Sequence, residues 1–196
     1  MKKISFMKKT LLQVTFVTTI LIFASCGSNQ RLEDTKDVAQ EHNDAKFDNN
    51  KQEKDARFLV SAAEINLEQI QLGKLAQQIG RSSYVRELGN NIEDSHTKSF
   101  NDLTELAKNK LITIPTSSTD NAQDSYKKLN NKSGSAFDEA FADKMVSNQK
   151  DAISVFEEAS KDRYDKDIKN WASNALPSLR KNLDNSIDCQ KRCNKN

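Results

Sequence analysis

The chain has 196 residues, with 30 Lys and Arg against 28 Asp and Glu, a formal net charge of +2. That excess comes from residues 1–25, which carry Lys2, Lys3, Lys8 and Lys9 and no acid; the remaining 171 residues hold 26 basic and 28 acidic side chains. Such a balance argues against a nucleic-acid partner, and five Gly and two Pro amid many Ala, Leu, Lys, Glu and Gln favour helix.

The four N-terminal lysines precede an apolar run ending Ile20-Leu21-Ile22-Phe23-Ala24-Ser25, and then Cys26. Residues 1–25 read as a lipoprotein signal peptide, the run being short for a membrane-spanning helix. Small residues just ahead of Cys26 favour cleavage there and acylation of the new N-terminal cysteine. Phe23 stands where Leu is usual, and it is too bulky for ordinary signal peptidase cleavage. The competing reading is an uncleaved N-terminal membrane anchor.

Residues 27–55 are almost all polar or charged, which predicts a lipidated Cys26 followed by a disordered tether over 26–55. A flexible chain of that length spans about 30 Å. His42, alone in this polar stretch, is expected to be exposed and inert.

The pattern then turns helical. The first helix is expected over 55–79, with the stripe Phe58, Ala62, Ile65, Gln69, Leu72, Ala76 and Ile79 at spacings of three and four. Gly80 breaks it, and Ser82-Ser83 can cap the next helix. That helix runs to about Lys110 with the stripe Val85, Leu88, Ile92, Ser95, Ser99, Leu103 and Leu106. A connection over 111–134 contains Pro115 and a short helix around Tyr126 and Leu129. The third long helix is expected over 135–161, with Phe137, Phe141, Met145, Asn148, Ala152, Val155 and Ala159 inward. After a turn at 162–165, the fourth is expected over 166–190, with Ile168, Ala172, Ala175, Leu179, Asn182 and Ser186 inward and Pro177 inside it, where it should kink the helix. The domain is thus expected over 56–190, with a C-terminal tail over 191–196.

Two helical hairpins joined by one long crossover define an all-α fold of the ferritin-like four-helix-bundle kind. Each stripe turns polar near its middle, at Gln69, at Ser95 with Ser99, at Asn148 and at Asn182. Mid-helix positions of antiparallel hairpins fall at one depth, so these side chains are expected to form one buried layer. Metal enzymes of this architecture place Glu and Glu-x-x-His at that depth; neutral amides and hydroxyls are poor ligands. The one Glu-x-x-His, Glu93-Asp94-Ser95-His96, has no second histidine in the domain to pair with. Glu64, Glu93 and His96 are the competing metal set, for iron or zinc; the plainer reading makes His96 a boundary histidine and both glutamates solvated. Cys189 and Cys193 lie at i,i+4 spacing near the C-terminus. A local bridge, an intermolecular bridge and free thiols all remain open for them.

Four runs, ARFLVSAAEINLEQIQLGKLAQQ, VRELGNNIEDSHTKSFNDLTELAKNKLITIP, SGSAFDEAFADKMVSNQKDAISVFEEAS and WASNALPSLRKNL, resemble in order the bacterial "domain of unknown function 4142" family. The resemblance covers residues 56–187 and implies a ferritin-like fold and a place in the outer membrane or envelope. The family pattern has an acidic residue where this chain has Gln69, an Asp at Ser95, and histidines at Gln149 and Asn182, while Glu64 and His96 are kept. For the third helix, the stripe favours Asn148 and the resemblance Gln149. A polar or metal-binding centre implied by the family has lost most of its ligands here.

The sequence therefore describes a lipid-anchored envelope protein with a structural or protein-interaction role, expected not to be an enzyme and to need no cofactor; the outer rather than the inner membrane is what the resemblance implies. Its expected partners are the membrane through the lipid, and another envelope protein or a second copy; nucleic acid is not one. The alternatives are a ferritin-like metal-binding protein or oxidoreductase, and a small-ligand-binding module built around the polar layer. Cys26→Ser should move the protein from the membrane pellet to the soluble fraction; unchanged retention overturns the lipid anchor.

Overall fold

All the regular structure in the computed structural model, which describes residues 34–161 and 164–195, is helical. The leader 1–25 and Cys26 lie outside the described residues, as do Asp162 and Arg163 of the expected turn. Six helices follow one another: α1 (Thr35–Asp44), α2 (Asn50–Ile79), α3 (Ser83–Asn109), α4 (Asp120–Asn130), α5 (Gly134–Ala159) and α6 (Lys166–Cys193). No described helix is long and apolar enough to cross a membrane.

Helix α1 and the first turn of α2 correct the expectation of a tether reaching residue 55. Apolar burial in this segment is slight, Ala39 and Phe47 being its buried hydrophobics, so an apolar-stripe argument could not find it. Polar docking holds it. Asn43 donates from Nδ2 to the Thr113 carbonyl and accepts the Thr113 N–H at Oδ1, both at 2.8 Å, mimicking a strand-like backbone pair. Lys36 reaches Glu64 of α2 at 2.6 Å. Asp34 and Asn49 cap α1 and α2 by accepting N–H groups from Lys36 and Gln52. His42 is exposed.

The four long helices sit close to their expected bounds. Gly80 ends α2. Ser82 is the N-cap of α3, but its hydroxyl donates to Asp138 of α5 rather than capping its own helix. The buried Asp138 carboxylate also accepts the N–H groups of Arg81 and Ser82 at 2.9 Å each, fastening the α2–α3 turn to α5. Asp55 accepts the Asp165 N–H at 3.1 Å, and Lys110 bridges Asp165 and Asp167, so the start of α6 is held by α2 and by the residue that caps α3. Helix α6 runs on through Pro177, whose side is exposed, and through half of the expected 191–196 tail.

Helices α2 and α3 form one antiparallel hairpin and α5 and α6 another; α2 also packs on α5 and α3 on α6, which gives the cyclic order α2, α3, α6, α5. Helix α4 lies over the α2/α5 seam. The core divides in two along the axis. One apolar cluster contains Phe58, Leu59, Leu103, Phe156, Tyr164, Ile168 and Leu179. Phe58 packs edge-on to Phe156 and Tyr164, and Trp171 leans on Phe58 and Phe156. The other contains Leu72, Leu75, Val85, Leu88, Ile92, Phe137, Phe141 and Met145.

Cys189 and Cys193 are free, buried thiols in this second cluster. Burial pushes the Cys189 thiol up to about 12 and raises that of Cys193 as well, so neither ionises readily.

Helices α2 and α3 meet backbone to backbone at Gly73 and Gly89. A Cβ on Gly73 would lie 2.7 Å from the Gly89 carbonyl oxygen, and one on Gly89 would lie 2.7 Å from the Gly73 carbonyl and 2.8 Å from Ala76 Cβ. Gly73→Ala and Gly89→Ala should each destabilise the fold by ~1–3 kcal/mol net, despite a helix-propensity gain of about 1 kcal/mol. The double variant should lose less than the two losses combined, because the first methyl already parts the helices. Chemical denaturation reads this; net losses below about 0.5 kcal/mol would mean the contact is loose.

Candidate functional site

A belt of polar side chains separates the two apolar clusters, and every long helix contributes to it: Asn66 and Gln69 from α2, His96 from α3, Asn148 and Gln149 from α5, Asn182 and Ser186 from α6, all buried. Its centre is a directional chain of hydrogen bonds. Asn66 Nδ2 donates to the Ala62 carbonyl at 2.8 Å, so the Asn66 oxygen faces His96 Nδ1 at 2.9 Å. That fixes the proton on Nδ1. His96 Nε2 is therefore an acceptor, and Gln149 Nε2 donates to it at 3.2 Å. Burial pushes the imidazole down to about 4, so the ring is neutral at pH 7. The chain ends at Gln149 Oε1, which has no partner among the described residues.

Two other pairs flank this chain on opposite faces. Towards α6, Asn182 Nδ2 donates to Ser95 Oγ at 2.8 Å; Ser95 Oγ itself bonds back to the Ile92 carbonyl, and Ser186 donates to the Asn182 carbonyl. A groove of about 420 Å³ opens here between α3 and α6, lined by Ser95, His96, Ser99, Asn182, Trp171 and Leu179 among others. Towards α4, Gln69 and Asn148 line a cavity of about 350 Å³, and Gln69 Oε1 and Asn148 Nδ2 have no hydrogen-bond partner among the described residues. The expected single layer is thus three groups at one depth. Both third-helix candidates belong to it: Gln149 in the central chain and Asn148 facing the cavity.

Glu64, Glu93 and His96 are not brought together. Glu64 is tied to Lys36, to Asn121 at 2.9 Å and to Thr119 at 3.3 Å. Glu93 accepts from Gln77 at 2.5 Å, with Lys74 at 3.7 Å. Both glutamates are half-buried rather than solvated, and His96, 2% exposed, is no boundary residue. Asp94 is exposed, with Asn90 at 3.0 Å.

The residues at the centre do not fit a divalent cation. The one imidazole lone pair meets an amide N–H, and the other groups around the ring are neutral amides. No set of three or more His, Cys, Asp and Glu side chains among the described residues is arranged to hold a metal.

Asn66 was not expected in the belt. It follows Ile65, which the spacing places inward, yet Asn66 is 1% exposed and Ile65 only half-buried. Its position three residues before Gln69, on the same side of the helix, was the available signal.

Residues 38–187 match the model of the family described as "Domain of unknown function (DUF4142)", and the chain belongs to that family. The match begins inside α1, so the family's domain takes in residues read from the sequence as tether. No curated protein and no solved structure matches the chain.

The neutral histidine has a measurable pH signature. Its folded value, about 4, lies below the ordinary 6.5, so the unfolded chain takes up the proton first as pH falls. The contribution is fully present at pH 7 and above, and is lost between pH 6.5 and 4: about 2 kcal/mol by pH 5 and about 3 by pH 4. Urea unfolding at pH 7 and 5 should show this loss in the wild type and a smaller one in His96→Gln. Equal losses in the two proteins would mean that His96 is not held neutral.

Proposed function

We propose that this chain is a lipid-anchored protein of the cell envelope, held at the outer membrane through Cys26, that acts by binding or by a structural role rather than by catalysis. We infer a ferritin-like four-helix bundle for its fold. Two hairpins joined by a long connection, with α2 beside α5 and α3 beside α6, support that reading. The partner is an envelope protein or a second copy of the chain.

One observation carries the non-catalytic reading: both ring nitrogens of His96 are taken up by neutral amides, Asn66 on one side and Gln149 on the other. The metal-binding and oxidoreductase alternative lacks a converging ligand set, because Glu64 and Glu93 are bound elsewhere. A small-ligand-binding role is the second reading. It is favoured by the α3/α6 groove, which reaches the belt at Ser95, Ser99 and Asn182 and mixes hydroxyl and amide groups with apolar surface.

Calorimetric titration of the purified protein with ferrous iron and with zinc tests the main reading, with His96→Ala as control. No stoichiometric binding is expected for either metal. Stoichiometric binding that His96→Ala abolishes would overturn a metal-free centre and restore the enzyme alternative.

A further inference from the structure

We propose that Cys189 and Cys193, at the C-terminal end of α6, form a two-coordinate site for a soft monovalent cation, copper(I). The two residues stand one helical turn apart, so their side chains leave the same face of α6. Cys193 Sγ accepts hydrogen bonds from the Cys189 thiol and from the Tyr84 hydroxyl of α3, which brings the two sulfurs within reach of one ion. Both residues are 4% exposed.

The spacing favours an ion over a disulfide. Side chains four apart on a helix have Cβ atoms about 5–6 Å from each other, whereas a disulfide needs about 3.5–4.5 Å. A metal–sulfur bond is about 2.3 Å long, so one ion between the two thiolates supplies the missing length without unwinding α6. Burial also keeps both thiols protonated, and the thiolate is the form that attacks a disulfide, so the pair resists oxidation.

The surroundings select the ion. The pair belongs to the apolar cluster with Leu88 and Phe137, and among the described residues no third His, Cys, Asp or Glu completes a ligand set around it. Zinc takes four ligands and hard cations take oxygen; copper(I) prefers thiolates and is satisfied by two. Binding exchanges two thiol protons for one copper(I) ion and leaves a single negative charge on the copper dithiolate. Arg192 offsets that charge: its guanidinium lies over the Tyr84 ring, 5.8 Å from the centroid, and lines the same pocket as Cys189. Of the nearby acids, Asp138 already accepts two backbone N–H groups and the Ser82 hydroxyl, and Glu139 is exposed. Two pockets give access, one of about 160 Å³ lined by Cys189 and one of about 340 Å³ lined by Cys193.

The test presents the reduced full-length chain, without oxygen, with copper(I) held by bicinchoninate, whose colour fades as copper leaves it. One equivalent should transfer with release of two protons, and X-ray absorption of the product should show two sulfur neighbours. Cys189→Ala and Cys193→Ala should each lower affinity by about a hundredfold or more, while their copper-free circular dichroism matches the wild type. Cys26→Ser should bind as the wild type does, which separates this site from the N-terminal thiol. Zinc at equal concentration should not displace the copper. The proposal fails if no copper leaves the chelator, if binding survives Cys189→Ala and Cys193→Ala combined, if Cys26→Ser abolishes it, if zinc displaces it, or if the absorption shows nitrogen or oxygen ligands. The X-ray absorption readout needs no variant, so a misfolded alanine variant cannot shelter the proposal. The site lies apart from His96, so this test and the iron and zinc titrations there fail separately.

Discussion

The buried chain from Gln149 through His96 to Asn66 and the Ala62 carbonyl is the constraint on which the rest of the bundle depends. It ties α5 to α3 and α3 to α2 through buried side chains, and each link requires a particular atom to face the next. An apolar core tolerates small shifts of one helix along another. A polar chain of this kind does not, because a displaced member leaves a desolvated donor or acceptor behind. The two apolar clusters can then pack independently on either side, the aromatic one around Phe58, Phe156 and Trp171 and the aliphatic one around Leu72, Ile92 and Phe141. The neutral state of His96 follows from its burial in this chain, which disfavours the charged ring.

Much of the fold was legible because the four long helices are amphipathic, and a 3.6-residue period reports burial directly. The end of α2 at Ile79 and the short α4 in the connection follow from Gly80 and from the apolar pair Tyr126 and Leu129. Helix α1 was illegible for the converse reason. Its attachment is carried by Asn43 on a backbone segment seventy residues away and by Lys36 on Glu64, contacts that leave no periodic trace in the sequence.

The candidate site divides along the same line. Gln69, Asn148 and Asn182 were visible as polar interruptions of apolar stripes. His96 was placed at the edge of its helix, because a stripe drawn through Ser95 and Ser99 follows only one of the two contacts α3 makes. A helix in a bundle touches two neighbours. Ile92, His96 and Leu103 are among the residues of α3 buried in the core, while Ser95 and Ser99, half-buried, line the seam with α6. Glu64 looked like a solvated residue because the two elements that cover it, α1 and the connection leading into α4, were respectively unforeseen and unplaced.

The glycine contact between α2 and α3 has a mechanical consequence. Two helices whose backbones touch at Gly73 and Gly89 are notched together, and a slide of one turn in either direction would carry a side chain into the space that only a glycine leaves. Shear within this hairpin is therefore blocked. The α5–α6 hairpin contains no glycine beyond Gly134 at its start and packs through side chains. Any movement by which the bundle admits or releases something must then run along the two seams between hairpins, where the groove and the cavity both open, with α2 and α3 moving as one rigid arm.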